Sequence, residues 1–346
     1  MDKKWEIGIS KFRICGGVAD NIFQKVGKNG RGIFPVDSKI KSKIFVPKNL
    51  LINQDHVFLK EGQLKLKDGL NYSKEVIDFF NFYQENFSWG NGGKESTEAF
   101  EEDLAKFPDE VKEFLKRKGI IDIDQRHSKR SINFTFNTFL FNRCFKFMGV
   151  SVLAPYLELV NYSPKSLPLL ASKEGIHHPE INISDHEITH HYNYMSSLAR
   201  WVQFGASVEE PMVFSLPYEF NISGSDLKCF CLGRSLEKEQ VNFSKVNKNL
   251  IIEGIPIANI NLKNFPNNYL TYLFKSVNLE LDVDNLLHKI IDYNIKTRIE
   301  VIEKVSKLNS FYSQSLIKTL SIELKTIDKV LTINSPSNCD LPRFIV

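Results

Sequence analysis

The residues with the clearest chemical potential lie in one stretch, HEITHHYNYMSSLARWVQFGA, which begins at His186. Its first five residues match the H-E-x-x-H pattern of zinc peptidases. On a helix, His186 and His190 would lie on one face and could bind a zinc ion while Glu187 activates a water molecule. Glu209 or Glu210 could then supply a third ligand. A zinc metallopeptidase is therefore one hypothesis that the spacing supports.

The residues around this motif favour a β-strand instead of a helix. Residues 181–192 alternate and are rich in isoleucine, threonine and tyrosine, which is typical of a strand. In a strand, His186 and His190 would lie more than about 12 Å apart, which is too far for one metal ion. Five of the eight histidines fall within residues 177–191, so a five-residue match can arise there by chance. We therefore predict a strand through the motif and no metal site.

The composition is that of an ordinary soluble protein. The 346 residues are 42% hydrophobic and 25% charged, enough for two or three compact units. A formal net charge of +4 is small for this length and favours neither a nucleic-acid partner nor a polybasic membrane protein. The sequence has no apolar run long enough to span a bilayer and no signal peptide at its start. The five irregularly spaced cysteines suit reduced thiols, so we predict a cytoplasmic protein. The oligomeric state is not predicted.

Secondary-structure elements must position any site. The sequence predicts short strands over residues 8–60 and a helical block over roughly residues 70–130. Ser73 is a suitable N-cap for the first helix of that block, and residues 96–107 form the second. Pro108 begins the third, because proline is tolerated in a first helical turn. Short apolar runs then alternate with turn residues over residues 211–275.

A change to helical spacing after Asp282 predicts a C-terminal helical hairpin. The first apolar stripe consists of Leu287, Ile291, Ile295, Ile299 and Ile302, and the second of Leu316, Leu320, Leu324, Ile327 and Leu331.

Motifs in the first half of the chain resemble those of SET-domain methyltransferases of the Rubisco large-subunit and actin-histidine type. The segment GRGIF at Gly30 and the segment VPKNLL at Val46 resemble the family's "GRGL-F" and "VP-x-x-L-L". The segment NRCF at Asn142 resembles its "S-R-x-F", with asparagine for serine. These segments follow the order of the family's motifs.

Two further motifs complete the resemblance. The segment LAPYLELVNYSP at Leu153 resembles "LVPxxDxxNHSP", with Glu158 for aspartate and Tyr162 for histidine. The segment YNYMSS at Tyr192 resembles "Y-G-x-x-S-N", and FGA at Phe204 resembles "Y-G-F" twelve residues later. The order of the motifs makes them jointly more specific than any one alone.

The resemblance implies an α+β fold, in which a β-rich SET domain is interrupted by a helical insert and followed by a mainly helical lobe. The implied boundaries are residues 1–70 and 131–215 for the two halves of the SET domain, 71–130 for the insert, and 216–346 for the C-terminal lobe. In the resembled family that lobe helps to hold the protein substrate.

The same resemblance implies S-adenosyl-L-methionine (AdoMet) as cofactor and a set of site residues. In that family the arginine holds the AdoMet carboxylate, the asparagine contacts the methionyl end, and the histidine position reads adenine through its backbone. The implied cofactor-binding residues here are Gly30, Gly32, Arg143, Glu158, Asn161, Tyr162 and Phe204. The implied catalytic residue is Tyr192, and Phe145, Phe204 and Tyr194 would line the substrate channel.

Methyl transfer from a sulfonium requires an in-line approach, a dry channel and a neutral amine. The resemblance implies a protein substrate, and Phe145 is more similar to the lysine-directed than to the histidine-directed members. Phe204 lacks the hydroxyl of the family's tyrosine, which leaves room for a methylated amine. The departures at Asn193, Ser197, Phe204 and Ala206 leave a second hypothesis open, a SET-like module that binds a peptide without catalysis.

Overall fold

The computed structural model describes residues 2–27, 30–128, 131–179, 186–191, 195–221, 226, 228–232, 243–261, 265–276 and 282–334. The chain divides into two compact units. The first unit comprises Met1–Ala99 and Lys129–Asn193, and the second comprises Phe100–Ser128 and Tyr194–Val346. No helix among the described residues is both long and apolar enough to cross a membrane.

The helices have the following bounds: α1 (Lys3–Ile14), α2 (Lys74–Asn86), α3 (Lys94–Ala105), α4 (Asp109–Arg117), α5 (Ile123–Ser128), α6 (Ile132–Arg143), α7 (Ser197–Phe204), α8 (Phe265–Ser276), α9 (Val283–Val305) and α10 (Phe311–Asn334). The strands of the first unit are β1 (Val18–Asp20), β2 (Ile22–Gly27), β3 (Gly30–Pro35), β4 (Lys43–Pro47), β5 (Ile52–Asn53), β6 (Val57–Lys60), β7 (Gln63–Leu66), β8 (Cys144–Phe147), β9 (Val150–Leu153), β10 (Asn161–Tyr162), β11 (Leu170–Ser172), β12 (Gly175–His177) and β13 (Thr189–His190). Those of the second unit are β14 (Met212–Phe214), β15 (Tyr218–Asn221), β16 (Lys228–Leu232), β17 (Phe243–Val246), β18 (Asn249–Glu253) and β19 (Pro256–Asn259). The predicted α+β class, with strand-rich flanks around a helical block and a mainly helical C-terminal part, is confirmed.

Small sheets make up the β-structure of the first unit. Strands β1, β4, β12 and β11 form an antiparallel sheet in that order, and β5, β9 and β8 form a second. Two hairpins, β2–β3 and β6–β7, add to them. Strands β10 and β13 are parallel, although the paired residues Asn161 and Thr189 lie 28 positions apart in sequence. This last pairing brings the Asn161 segment beside the histidine-rich segment.

The N-terminal helix α1 corrects the prediction of strands from residue 8 onward, which is wrong up to residue 14. The Asp2 side chain caps the helix by accepting a hydrogen bond from the Lys4 N–H at 3.0 Å. Trp5 and Phe12 lie on its buried face, since residues seven apart share a side of a helix. The prediction of strands holds from Val18 onward.

The helical block follows the prediction closely. Ser73 accepts a hydrogen bond from the Val76 N–H at 3.3 Å and begins α2. Pro108 precedes the first residue of α4, and Gly119, with a φ of +67°, follows that helix. Helices α3 and α4 are therefore confirmed, and α6 carries the run of helices on to Arg143.

Aromatic rings pack around Tyr156 in the core of the first unit. Its ring centroid lies 4.9 Å from that of Phe12 and 5.1 Å from that of Tyr83, and it is fully buried. Tyr156 has a φ of +65°, which is uncommon for a residue with a side chain. The Tyr83 hydroxyl accepts the Tyr156 N–H at 2.9 Å and holds this turn in place. The turn sets the direction of the backbone that leads to Glu158.

Helices α9 and α10 confirm the predicted C-terminal helices, but the buried face of α9 differs from the predicted stripe. Leu287 and Ile291 are buried as expected, whereas Asn294 and Arg298 are buried instead of Ile295 and Ile299. The buried residues of α9 are Leu286, Leu287, Ile290, Ile291, Asn294, Thr297, Arg298, Val301 and Val305.

The reason for this shift is a buried polar network within the second unit. The Asn294 side chain accepts the Leu216 N–H at 2.8 Å and donates to Ser215 Oγ at 3.0 Å. Arg298 donates to Glu323 of α10 at 2.9 Å. These partners satisfy the polar groups of Asn294 and Arg298, so the side of α9 that carries them can face the interior.

Candidate functional site

The end of the histidine-rich motif is extended, as the alternation predicted, because Thr189 and His190 form β13. His186 and Glu187 precede this strand, and residues 180–185 and 192–194 lie outside the described residues. Strand β13 pairs with β10 so that Asn161 is opposite Thr189 and Tyr162 is opposite His190. Just before it, the Ile188 N–H donates to the Ile33 carbonyl at 2.8 Å. A zinc peptidase requires the two histidines of this motif on one helical turn. The described residues contain no group of three or more histidine, cysteine, aspartate or glutamate side chains able to hold a metal. The metallopeptidase hypothesis is therefore unsupported.

The side chain of Asn161 connects the glycine-rich strand with the histidine-rich strand. Its Nδ2 donates to the carbonyl oxygen of Arg31 at 2.9 Å and to Oε1 of Glu187 at 2.5 Å. A Cβ atom at Gly32 would lie 2.8 Å from Asn161 Nδ2 and 2.0 Å from Glu187 Oε1. Only glycine fits at this position with those side chains in place. Three segments that are distant in sequence thus meet at Gly32.

Arg143 ends helix α6 and points toward the turn that contains Glu158. Its Nη1 donates to the carbonyl oxygen of Glu158 at 2.7 Å, and its guanidinium lies 5.7 Å from the centre of the Phe139 ring. Fixing the guanidinium on a backbone oxygen restricts its rotamers, while its other N–H groups keep their donor capacity. Arg143 can therefore present a planar cation to a carboxylate.

A second arginine, Arg31, lies near Arg143. Burial lowers the pKa of the Arg31 guanidinium, and the positive charge of Arg143 lowers it further. Its Nη1 atom is buried and has no hydrogen-bond partner within the part of the chain that the structure describes. The guanidinium packs on Gly92, where φ is +78° and a Cβ would lie 3.0 Å from Nη2. Two neighbouring guanidiniums, one with a buried unpartnered donor, favour an anionic ligand.

The carboxyl group of Glu158 is buried beside this pair, and the side chain is 3% exposed. Burial raises its pKa, while Arg143, Ser88, Tyr83 and Gln84 lower it in part. Neither carboxyl oxygen has a hydrogen bond of ordinary geometry to any described residue. The side chain of Glu158 therefore packs among residues of α2 and the turn that follows it.

Replacing Glu158 with glutamine is expected to change how stability depends on pH. Because the pKa of Glu158 is raised on folding, the folded state binds its proton more tightly than the unfolded state. The contribution of Glu158 to the stability of the wild-type protein therefore falls as the pH rises above the ordinary carboxyl pKa, and it stops falling once the pKa of the folded state is passed. Glutamine does not titrate, so the melting temperature of Glu158→Gln should exceed that of the wild type by a few degrees at about pH 8 and by less at about pH 5. Equal differences at both pH values would contradict the prediction.

Phe145 lies beside the buried His190, which is paired with Tyr162 in the strand register. Phe145 belongs to β8, and its ring centroid lies 5.8 Å from that of His190. His178 Nε2 lies 2.9 Å from the Thr189 carbonyl oxygen, which accepts a hydrogen bond in the tautomer that carries the proton on Nε2. The rings of Phe145 and His190 thus pack together at β13, the strand that lies just before Tyr192 in sequence.

The other predicted site residues lie as follows. Gly30 begins β3 opposite Gly27, with a φ of +88°, and no atom of the described residues lies within 4 Å of a Cβ built there. Tyr162 contacts His191, with ring centroids 5.6 Å apart. Phe204 is the last residue of α7 in the second unit. Tyr192 and Tyr194 lie outside the described residues.

Among the predicted cofactor-binding residues, the structure thus brings Gly32 into contact with Asn161, and Arg143 into contact with the backbone of Glu158. Sequence reasoning did not assign Glu187 or Arg31 to the site. Arg31 had a usable signal, since it stands between the two glycines of GRG. The sequence connects Glu187 only with the zinc motif.

No family model and no curated protein matches this chain. Among solved structures, the chain is similar to the SET domain of LSMT bound to lysine and AdoHcy, with 14% identity and a TM-score of 0.44. That match covers 96% of this chain and 91% of the other. Rubisco LSMT bound to AdoMet matches with 13% identity and a TM-score of 0.43, covering 96% of this chain and 92% of that one. Rubisco LSMT bound to sinefungin and monomethyllysine matches with 14% identity and a TM-score of 0.42, covering 96% and 91%.

Proposed function

We propose that this protein is a SET-type, AdoMet-dependent methyltransferase that acts on a lysine side chain of another protein. The observation that carries the proposal is the contact of Asn161 with the backbone of Arg31, beside Gly32. The sequence motifs assign Gly32 and Asn161 to one cofactor site, although about 130 residues separate them. Their contact supports that assignment.

The residues present fit the amino-acid end of AdoMet. The guanidiniums of Arg31 and Arg143 suit its carboxylate, and the buried Nη1 of Arg31 offers an unused donor. The Arg31 carbonyl and the Asn161 side chain offer polar groups at Gly32, where the lack of a Cβ atom lets side chains approach the backbone closely. When bound, AdoMet supplies an electrophilic methyl group on a sulfonium.

The chain itself must then hold the acceptor amine and keep water away from it. A lysine has a reference pKa of about 10.4, and transfer into an apolar channel favours its neutral, nucleophilic form. Phe145, next to the buried His190, provides such an apolar surface. The hydroxyl of Tyr192 would orient the amine, and Phe204, lacking a hydroxyl, would leave room for a second methyl group.

Two measurements test the proposal. Calorimetry should show binding of AdoMet and of its demethylated product, S-adenosylhomocysteine. With methyl-labelled AdoMet and a peptide array, label should appear on peptides that contain lysine. It should be absent from a matched array in which each lysine is replaced by arginine. Label that persists on the arginine array and is released as methylhistidine would contradict the lysine assignment.

Arg143→Ala should weaken the binding of S-adenosylhomocysteine about tenfold or more. The change removes a charge-assisted, two-point contact worth about 1.5–3 kcal/mol. Arg143→Lys should recover only part of the loss, because an ammonium group cannot make the planar contact. Arg13→Ala is the matched control in the same unit, since Arg13 pairs with Asp20 where both side chains are about half exposed, 54% and 51%. Equal affinities for Arg143→Ala and Arg13→Ala would refute the role of Arg143.

A catalytically inactive SET-like module that binds a peptide is the second candidate. The departures from the family's motif at Asn193, Ser197, Phe204 and Ala206 favour it. Peptides from the array that bind without acquiring label would support this function over methyl transfer.

A further inference from the structure

The carboxylate of Glu187 lies at Gly32 and Asn161, two residues that the motifs assign to the cofactor site. Its Oε1 atom accepts from Asn161 Nδ2 and would be 2.0 Å from a Cβ at Gly32. The side chain is only partly buried, and the next residue is fixed by the hydrogen bond from Ile188 to Ile33. Glu187 is therefore held at the glycine-rich strand by both its backbone neighbour and its side chain.

Two acceptors of different kinds meet at this point. The carbonyl oxygen of Arg31 and Oε1 of Glu187 both bond the same nitrogen of Asn161, at 2.9 and 2.5 Å. Oxygens that share one donor nitrogen lie close enough together for a single ammonium group to reach both. Each also keeps acceptor capacity, because a carbonyl oxygen has two lone pairs and a carboxylate has about four.

The charges in the first unit are divided in a way that suits a zwitterion. Arg31 and Arg143 form a cationic pair, and the Arg31 guanidinium has a buried, unpartnered donor. The carbonyl oxygen of the same Arg31 and the carboxylate of Glu187 are acceptors that share Asn161 Nδ2 as their donor. One residue thus contributes a donor group for an anion and an acceptor group for a cation.

We propose that Glu187, together with the carbonyl oxygen of Arg31, binds the α-ammonium group of AdoMet. The inference rests on the proposed function and adds a positioning residue that the motifs do not identify. The charge-assisted hydrogen bond from the ammonium fixes the amino-acid end of the cofactor on Gly32. It gives Glu187 of the HEITH segment a role that requires no metal.

A thermodynamic cycle with two ligands and two proteins tests the proposal. The ligands are S-adenosylhomocysteine and its desamino analogue, in which hydrogen replaces the α-amino group. Calorimetry should show that Glu187→Gln weakens binding of S-adenosylhomocysteine about tenfold or more, as loss of a hydrogen bond to a charged group predicts. Binding of the desamino analogue should change less than about twofold, because it lacks the group that Glu187 contacts.

Glu174→Gln is the matched control, since Glu174 is an exposed glutamate of the same unit. It should bind both ligands as the wild type does. Equal weakening of both ligands by Glu187→Gln would assign Glu187 a structural role and overturn the inference, as would unchanged binding of S-adenosylhomocysteine. A wild-type protein that binds S-adenosylhomocysteine excludes failure of the proposed function as the cause of either result. A wild-type protein that binds neither ligand would overturn the proposed function and this inference together.

Discussion

Replacing Tyr192 with phenylalanine is expected to reduce the rate of methyl transfer about a hundredfold or more. The change removes one hydroxyl that would orient the acceptor amine toward the methyl group, and loss of a single well-placed polar contact in a transition state commonly costs a factor of this size. Affinity for S-adenosylhomocysteine should stay near that of the wild type, because the ring is retained. Single-turnover transfer of labelled methyl groups, alongside calorimetry, measures both quantities.

Tyr272→Phe provides the matched control, because it removes the same hydroxyl from a ring that is 72% exposed and that no motif assigns to the site. We expect its transfer rate to remain within a few-fold of the wild type. If Tyr194→Phe loses activity while Tyr192→Phe retains it, Tyr194 takes the catalytic role. If both retain activity, neither phenol orients the amine.

The helices that could be predicted are those whose ends are set by local chemistry. Ser73 begins α2 through its own side chain, and Pro108 and Gly119 flank α4. Helix α1 was not predicted, although the Asp2 cap and the helical spacing of Trp5 and Phe12 are both local signals. A cap within the segment is therefore helpful for predicting a helix but does not suffice by itself.

The buried face of α9 could not be predicted because its partners are distant in sequence. Asn294 and Arg298 are polar and would be placed on the solvent side by hydrophobicity alone. They are buried because Leu216, Ser215 and Glu323 satisfy them. Only the three-dimensional structure shows that these polar groups are paired.

The candidate site shows the same division. The motifs predicted Gly32, Asn161 and Arg143 as cofactor-binding residues, because the motifs that contain them occur in a recognisable order. The position of Glu187 depends on the pairing of two strands of two residues each, which no local pattern encodes. The sequence connects Glu187 only with a zinc motif, whereas in the structure Glu187 precedes β13 and its carboxylate accepts a hydrogen bond from Asn161.

The buried ion pair between Arg298 and Glu323 is expected to give the largest stability effect, with Arg298→Met lowering the free energy of unfolding by about 3–5 kcal/mol. Both side chains are 1% exposed, and Arg298 also donates to Asn294 Oδ1 at 2.6 Å and to the Phe214 carbonyl at 3.0 Å. Its removal would leave the Glu323 carboxylate buried without its cation, and methionine cannot replace the lost donors. Urea unfolding followed by circular dichroism measures the change.

Two further variants separate the buried charge from loss of packing. Arg298→Met combined with Glu323→Gln should recover part of the stability, because glutamine carries no charge and can still accept the Leu198 N–H that Glu323 accepts at 2.8 Å. Lys228→Met breaks an ion pair with Glu219 in the same unit, where the side chains are 41% and 52% exposed, and should cost no more than about 1 kcal/mol. If Arg298→Met costs as little as Lys228→Met, the ion pair does not stabilise α9 against α10. If the double variant is no more stable than Arg298→Met alone, the cost comes from lost packing and donors and not from an uncompensated charge.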